Sequence, residues 1–233
     1  MKSLNKIIES LLDDEDTLAY NPLEEIQRFL TKTYGKYSNF RIEEGSDGIY
    51  IVTPGVRILA VNDPDATRLT NGLFRFSPKL DRLNCYNCTK LQSLEGCPEE
   101  CARIDCRGCK SLKNLIGAPQ VCELFDCGYC QELKSLEGAP QVCDIFDCGY
   151  CPKLKSLEGA PQKCVEFICS GCKNLTSLEG APQKCKYFYC VKCPKLTTLK
   201  YLGKVEYLYT RGTNIPEEEL NELEKKNENR LIN

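Results

Sequence analysis

Cysteine recurs with a period of 21 residues through the middle of the sequence, and this spacing constrains the fold more than any other feature. A fixed period of about 20 to 50 residues indicates stacked copies of one supersecondary unit, so the sequence predicts a solenoid. Three series hold 17 of the 18 cysteines, and only Cys97 lies outside them. Two series form Cys-x-x-Cys pairs: Cys85 and Cys88, Cys106 and Cys109, Cys127 and Cys130, Cys148 and Cys151, Cys169 and Cys172, Cys190 and Cys193. The third series is Cys101, Cys122, Cys143, Cys164 and Cys185.

The repeat that begins at Cys164 resembles the cysteine-type leucine-rich repeat. Cys164, Phe167 and Cys169 match the three inward leucine positions of that pattern, and Cys172 matches its Asn or Cys position. Free cysteine is a small, readily buried side chain, so we expect the cysteines to replace core leucines. The predicted fold is an α/β solenoid, a leucine-rich-repeat array of about six coils of 21 residues with one parallel strand each.

Three regions are predicted along the chain. Residues 1–78 lack cysteine and are predicted to form a small α+β N-terminal domain. The solenoid is predicted over residues 79–215, and a C-terminal capping helix over residues 216–233. Within the first region, Leu4–Leu12 has helical apolar spacing, and either core packing or docking into a partner's groove would explain it. A second helix is predicted to start at Asn21-Pro22, followed by strands in runs 40–43, 49–53 and 56–61. In the last coil, Arg211 is expected to replace the first paired cysteine.

Composition excludes several classes of function. The net charge of −2 argues against a general nucleic-acid binder, and no apolar run is long enough to predict a membrane span. The first residues lead into charges rather than an apolar signal core, so we expect an unsecreted protein with reduced thiols. Histidine is absent and no phosphate-binding loop is found, so we predict a non-enzymatic protein with no catalytic residues and no cofactor.

The cysteine spacing leaves two other chemical interpretations open. Successive Cys-x-x-Cys pairs have a spacing compatible with four-cysteine zinc or iron–sulfur sites. Equivalent cysteines in neighbouring coils would also lie close enough for a ladder of disulfides after oxidation. We favour a column of buried, reduced thiols, because every repeated cysteine falls where the fold requires an inward apolar residue.

Candidate binding residues lie at the outward strand positions, which vary between repeats while the inward positions hardly vary. A constant frame with a varied strand face is typical of solenoids that bind partners along an extended surface. Tyr and Arg are enriched at interface hot spots. Two candidate groups lie on this face: an acidic stripe of Asp105, Asp126 and Asp147, and an aromatic cluster of Tyr187, Tyr189, Tyr207 and Tyr209 with Arg211 beside it. The alternative role of the acidic stripe is a solvated sheet face, and that of the aromatic cluster is a half-buried cap at the end of the array.

The block Ser-Leu-Glu-Gly-Ala-Pro-Gln recurs at Ser135–Gln141, Ser156–Gln162 and Ser177–Gln183, each time before a Cys-x-x-Phe-x-Cys-x-x-Cys strand. With the leader of residues 4–16, these repeats resemble leucine-rich-repeat proteins of large tailed, crAss-like bacteriophages. The resemblance implies a phage-encoded protein in the virion or the host cytoplasm. We therefore expect an interaction module that binds a host or virion protein through its strand face. A metal- or redox-linked protein using the Cys-x-x-Cys cysteines and a structural virion component are the alternatives, and the oligomeric state is left open.

Overall fold

A computed structural model describes residues 21–36, 39–227 and 230–232. The helix predicted at Leu4–Leu12 lies outside these residues. The described part contains helix α1 (Pro22–Tyr34) and helix α2 (Glu217–Asn227). Its strands are β1 (Arg41–Glu44), β2 (Tyr50–Thr53), β3 (Ile58–Ala60), β4 (Phe74–Phe76), β5 (Lys79–Asn84), β6 (Glu100–Asp105), β7 (Val121–Asp126), β8 (Val142–Asp147), β9 (Lys163–Ile168), β10 (Lys184–Tyr189), β11 (Lys204–Tyr209) and β12 (Arg230–Ile232).

The N-terminal helix begins where the sequence predicts it. Asn21 caps α1 by accepting a hydrogen bond from the Leu23 amide at 3.1 Å, and Pro22 occupies the first turn, where its missing N–H costs nothing. The helix buries Ile26 and Leu30 against a three-stranded sheet of order β1-β2-β4. Tyr34 ends α1, and its hydroxyl donates to the Leu69 carbonyl at 2.6 Å. These contacts fix the helix against the start of the array.

Nine parallel strands form the main sheet, in the order β12-β11-β10-β9-β8-β7-β6-β5-β3. Equivalent residues of successive repeats lie opposite each other. Cys143 pairs with Cys122 on one side and with Cys164 on the other, so the shift from strand to strand equals the sequence period of 21 residues. Each repeat therefore forms one turn, and the prediction of a solenoid with one parallel strand per repeat is confirmed.

The array is longer and less helical than predicted, with about eight turns instead of about six. Strands outside the cysteine series extend it, because β3 pairs with β5 at one end and β12 pairs with β11 at the other. Between β5 and β11 the connections consist of turns and extended segments without a helix. Each connection carries Gly or Pro close to its leucines, and both residues disfavour a helical turn. The structure is accordingly a parallel β-solenoid with few helices.

Inward side chains repeat from turn to turn and fill the interior. In the turn that starts with β9, Cys164, Phe167, Cys169 and Cys172 are buried, and the leucines of the connection complete the set. Parallel stacking of identical rings follows from the register, with centroids 5.3–5.5 Å apart in the column of Phe125, Phe146, Phe167 and Phe188. The inward positions predicted from the sequence are confirmed.

The return turns that follow β5 to β9 each contain a glycine, whereas Tyr201 holds the equivalent position after β10. Gly138 has a φ of 87°, in the left-handed region that side chains disfavour, and a Cβ atom there would lie 2.4 Å from the Ile116 amide nitrogen of the preceding turn. Gly159 and Gly180 have the same conformation and the same close approach. The recurring glycine therefore sets how closely successive turns stack.

Thr210, rather than Arg211, occupies the position of the first paired cysteine in the last repeat. Tyr189 lies opposite Tyr209, which makes the next residues, Cys190 and Thr210, equivalent. Thr210 is buried, whereas Arg211 is exposed. The prediction for Arg211 was wrong because the last repeat is one residue shorter than the others, as the pairing of Lys184 with Lys204 shows.

Helix α2 covers the end of the described array. The Glu219 carboxylate accepts hydrogen bonds from the Thr198 hydroxyl at 2.8 Å and from the Leu199 amide at 2.7 Å. Leu220 is buried beside them. A terminal repeat has no neighbour on its outer side, and these contacts satisfy backbone and apolar groups that the next turn would otherwise cover.

Candidate binding surface

Two columns of outward side chains run along the strand face of the main sheet. Parallel register places equivalent residues of successive strands beside each other, so each column has one residue per turn. All members except the exposed Arg103 and the buried Asp105 are partly exposed. The first column consists of Arg82, Arg103, Leu124, Ile145, Glu166, Tyr187 and Tyr207. The second consists of Asn84, Asp105, Asp126, Asp147, Ile168, Tyr189 and Tyr209.

Asp105 is neutralised within the fold. Its side chain is buried, and its carboxylate accepts hydrogen bonds from the Arg107 guanidinium at 3.0 and 2.7 Å, with Arg82 at 3.6 Å on the other side. Paired charges of this kind offer little to a partner. Of the predicted acidic stripe, the structure therefore leaves Asp126 and Asp147 as the carboxylates that face outward together.

Asp126 and Asp147 lie side by side above two glycines. Each accepts a hydrogen bond from the second amide after it, Asp126 from Gly128 at 3.1 Å and Asp147 from Gly149 at 2.7 Å. Burial, followed by the charge of Asp147, raises the pKa of Asp126 to about 6. Arg107 opposes this rise from 3.3 Å. A Cβ atom at Gly149 would lie 3.0 Å from Asp147 Oδ1, so the glycine leaves room for that carboxylate.

Tyr129 and Tyr150 directly follow these two glycines in the chain. Their rings stack with centroids 4.7 Å apart and an interplanar angle of 5°, and both remain among the most exposed aromatic side chains of the described chain. Both have φ near 60°, a conformation that glycine adopts at the equivalent positions Gly108 and Gly171. A bulky residue in the left-handed region is uncommon and points to a role for the side chain.

The tyrosine pair was not predicted from the sequence. Its signal was the segment Gly-Tyr-Cys, which occurs at residues 128–130 and again at 149–151, where other repeats have Gly, Asn or Lys before the cysteine. Only the backbone conformation shows that this position is left-handed in every turn. A tyrosine at a left-handed position is uncommon, and the alternation of inward and outward residues along a strand does not explain it.

The predicted aromatic cluster is assembled as two stacked pairs. Tyr187 stacks on Tyr207 with centroids 5.0 Å apart, and Tyr189 on Tyr209 with centroids 4.3 Å apart. The Lys186 ammonium lies 5.2 Å from the centre of the Tyr187 ring. Burial, followed by the charge of Glu166, raises the pKa of Tyr189 to about 12. Arg211 lies exposed just beyond Tyr209 in the chain.

The paired cysteines form two interior columns of hydrogen-bond donors. The Cys109 thiol donates to the Cys85 carbonyl at 3.1 Å, and the Cys106 thiol donates to the Asp126 carbonyl at 3.3 Å. Burial raises the pKa of Cys106 and of its equivalents Cys127 and Cys148 well above that of a free thiol. Among the described residues, no group of three or more His, Cys, Asp or Glu side chains is placed to hold a metal ion.

Neither helix in the described part of the chain combines the length and the apolar composition that a bilayer crossing requires. No protein-family model, no curated protein and no solved structure matches this chain.

Proposed function

We propose that the chain is a non-enzymatic protein-interaction module whose partner lies against the strand face of the solenoid. The observation that carries this proposal is the pair of partly exposed columns, which change from charged to aromatic side chains on a nearly constant frame. Solenoids bind along such surfaces because the frame fixes the spacing and each turn supplies its own contact.

The aromatic end of the face is the proposed contact centre. Tyr187, Tyr189, Tyr207 and Tyr209 form a rigid block of stacked rings, and stacking has already removed the rotamer freedom that binding would otherwise restrict. Lys186 and Arg211 supply charged groups at its edge. A centre of aromatic anchors inside a polar rim is the usual anatomy of an interaction hot spot.

The cysteine-type leucine-rich repeat is part of this proposal. Its support is the burial of the repeat positions that match the family pattern, such as Phe167, Cys172 and Leu175. A phage origin and a place in the host cytoplasm or the virion rest on the sequence resemblance alone. The alternative of a metal-linked protein is less favoured, because the paired thiols donate to backbone carbonyls and burial suppresses their ionisation.

An affinity pull-down with a matched pair of variants tests the proposal. The bait would be the full chain, the prey a lysate of host or phage-infected cells, and the readout quantitative mass spectrometry. The test variant is Tyr187→Glu with Tyr189→Glu, which adds two carboxylates to the strand face. The control is Thr176→Glu with Thr197→Glu, which adds two carboxylates at exposed positions of the connections.

The expected result is a partner retained by the parent and the threonine variant and lost by the tyrosine variant. The partner should then bind the purified parent with a dissociation constant that rises at least about 30-fold in the tyrosine variant, as for a hot-spot substitution. Circular dichroism would establish that both variants fold. Equal capture by both folded variants, or by neither, contradicts binding at this face.

A further inference from the structure

The third cysteine series, Cys101, Cys122, Cys143, Cys164 and Cys185, differs from the paired series in its position. The paired cysteines lie in the interior, whereas members of the third series line grooves on the protein surface. Cys164, at 9%, has the largest exposed fraction of the buried cysteines. Reagents in solution therefore reach this series more readily than the paired columns.

Neighbouring members of this series lie opposite each other in the sheet. Cys164 lies opposite Cys185 on β9 and β10, and Cys122 lies opposite Cys143 on β7 and β8. Neighbouring strands are about 4.8 Å apart, within the Cα separation of about 4.4–6.8 Å that a disulfide spans. Either pair can form a bond with little backbone movement.

The charges around the two pairs differ. Cys164 and Cys185 open onto a groove of about 270 Å³ that three lysines line, Lys163, Lys184 and Lys186. Two carboxylates, Asp144 and Glu206, partly offset them. The groove at Cys122 has one lysine and five carboxylates, namely Lys79 with Asp81, Glu99, Glu100, Glu123 and Asp144. A positive surrounding favours the thiolate, which is the reactive form of cysteine, and a negative surrounding disfavours it.

We propose that Cys164 and Cys185 form a peroxide-sensitive dithiol, which oxidation converts into a disulfide joining β9 to β10. The inference stands on the register that sets Cys164 opposite Cys185 and on the lysines of the groove that both cysteines line, and it does not depend on the proposed binding function. The oxidant class is a hydroperoxide. Cys185 is the attacking thiol, because Lys184 and Lys186 flank it in the chain, whereas Cys164 has a lysine, Lys163, on one side only.

The chemistry proceeds in two steps. The Cys185 thiolate attacks one peroxide oxygen, the O–O bond breaks, and the products are a sulfenic acid on Cys185 and an alcohol, or water from hydrogen peroxide. The Cys164 thiol then attacks the sulfenic sulfur, the S–S bond forms and water leaves. The two thiols lose two electrons in total, and the peroxide bond accepts them.

A time course on the reduced full-length chain tests this proposal. Hydrogen peroxide would be added near neutral pH, the reaction quenched, the remaining thiols alkylated in denaturant, and each disulfide quantified by mass spectrometry. We expect the Cys164–Cys185 disulfide to form about 10-fold faster than the Cys122–Cys143 disulfide, since the pairs share their geometry and differ in surrounding charge. Absence of the first disulfide, equal rates, or earlier oxidation of the paired columns would overturn the proposal.

Three variants separate the steps. Cys164→Ser should leave Cys185 as a sulfenic acid that dimedone labels. Cys185→Ser should leave Cys164 unlabelled by dimedone, and the reverse pattern refutes the assignment of the attacking thiol. Lys184→Glu with Lys186→Glu replaces two exposed side chains and should slow disulfide formation to near the rate of the Cys122 pair. An unchanged rate in that folded variant would show that the lysines play no part.

Discussion

The Cys172 thiol donates a hydrogen bond to the carbonyl oxygen of Cys148 in the preceding turn, with 3.3 Å between the two atoms. The same contact recurs, 24 residues apart each time, between Cys109 and Cys85, Cys130 and Cys106, Cys151 and Cys127, and Cys193 and Cys169. Leucine could fill this space but could not donate to the carbonyl. Cysteine does both, because it is a small apolar side chain with a weak donor.

Replacing Cys172 with alanine should therefore destabilise the array. The substitution removes a buried sulfur and a donor to a buried carbonyl, and we expect the free energy of unfolding to fall by about 1–3 kcal/mol. Urea denaturation followed by circular dichroism measures the change. Cys97→Ala is the matched control, since Cys97 lies outside the repeated series and is only partly buried. An equal or larger loss in the control would contradict the role assigned to the column.

Alkaline pH should unfold the protein sharply. Burial raises the pKa of Cys127, Cys148 and Cys169 in the folded state, so above the ordinary thiol pKa the unfolded chain loses protons that the folded chain retains. Stability is thus unaffected below about pH 8.5 and falls above it, by about 1.4 kcal/mol per pH unit for each such thiol. Most of the thiolate absorbance near 240 nm should appear together with the loss of circular dichroism. Ionisation of these three interior thiols in the folded state at pH 9 would refute this prediction.

Neutralising Asp126 should stabilise the protein at pH 7 but not at pH 4. Its folded-state pKa of about 6 exceeds that of an unfolded aspartate, so stability is lost as the pH rises from about 4 to 6. Asp126→Asn retains the acceptor for the Gly128 amide and should raise the free energy of unfolding at pH 7 by about 1–2 kcal/mol. Denaturation at both pH values checks this.

The exposed Asp144 provides the comparison for that experiment. Asp144→Asn should change the free energy of unfolding by no more than about 0.5 kcal/mol at either pH, as is usual for a surface substitution. A similar gain in both variants at pH 7 would mean that general charge reduction, rather than the buried Asp126 carboxylate, is responsible.

Gly171→Ala should destabilise the protein for two separable reasons. The φ of Gly171 is 74°, and a Cβ atom there would lie 2.5 Å from the Tyr150 ring. We expect a loss of about 1–3 kcal/mol in the free energy of unfolding. In a Tyr150→Gly background only the conformational part should remain, so the same substitution should cost less. An identical loss in both backgrounds would show that the ring moves aside without cost.

Local pattern was sufficient to predict much of the architecture. The inward positions of a repeat such as Phe167 and Leu175 follow from their spacing and from the small choice of residues there, and the start of α1 follows from the Asn21-Pro22 cap. The outward columns also follow, because alternation along a strand separates the two faces. The register of the last repeat does not follow from local pattern. That repeat is one residue shorter than the others, which places Thr210 at the cysteine position.

The chemistry of the strand face depended on contacts between turns. The sequence presents Asp105, Asp126 and Asp147 as equivalent, but Arg107 neutralises Asp105 and the other two remain together. Likewise, all three cysteine series share one period and are buried, yet the third series also lines surface grooves. Such differences depend on which side chains of other turns come within a few ångströms, and one repeat read alone does not contain them.

By itself, the sequence determined that this protein is a solenoid with one strand per repeat and a cysteine-rich interior, because a strict period and its inward residues act locally and identically in every turn. Only the tertiary structure decided where the array ends, that Tyr129 and Tyr150 stack in left-handed conformations, and that Cys164 and Cys185 line one groove beside lysines. Those features arise from distances between different turns, and electrostatic and packing energies depend on such distances rather than on position in the chain.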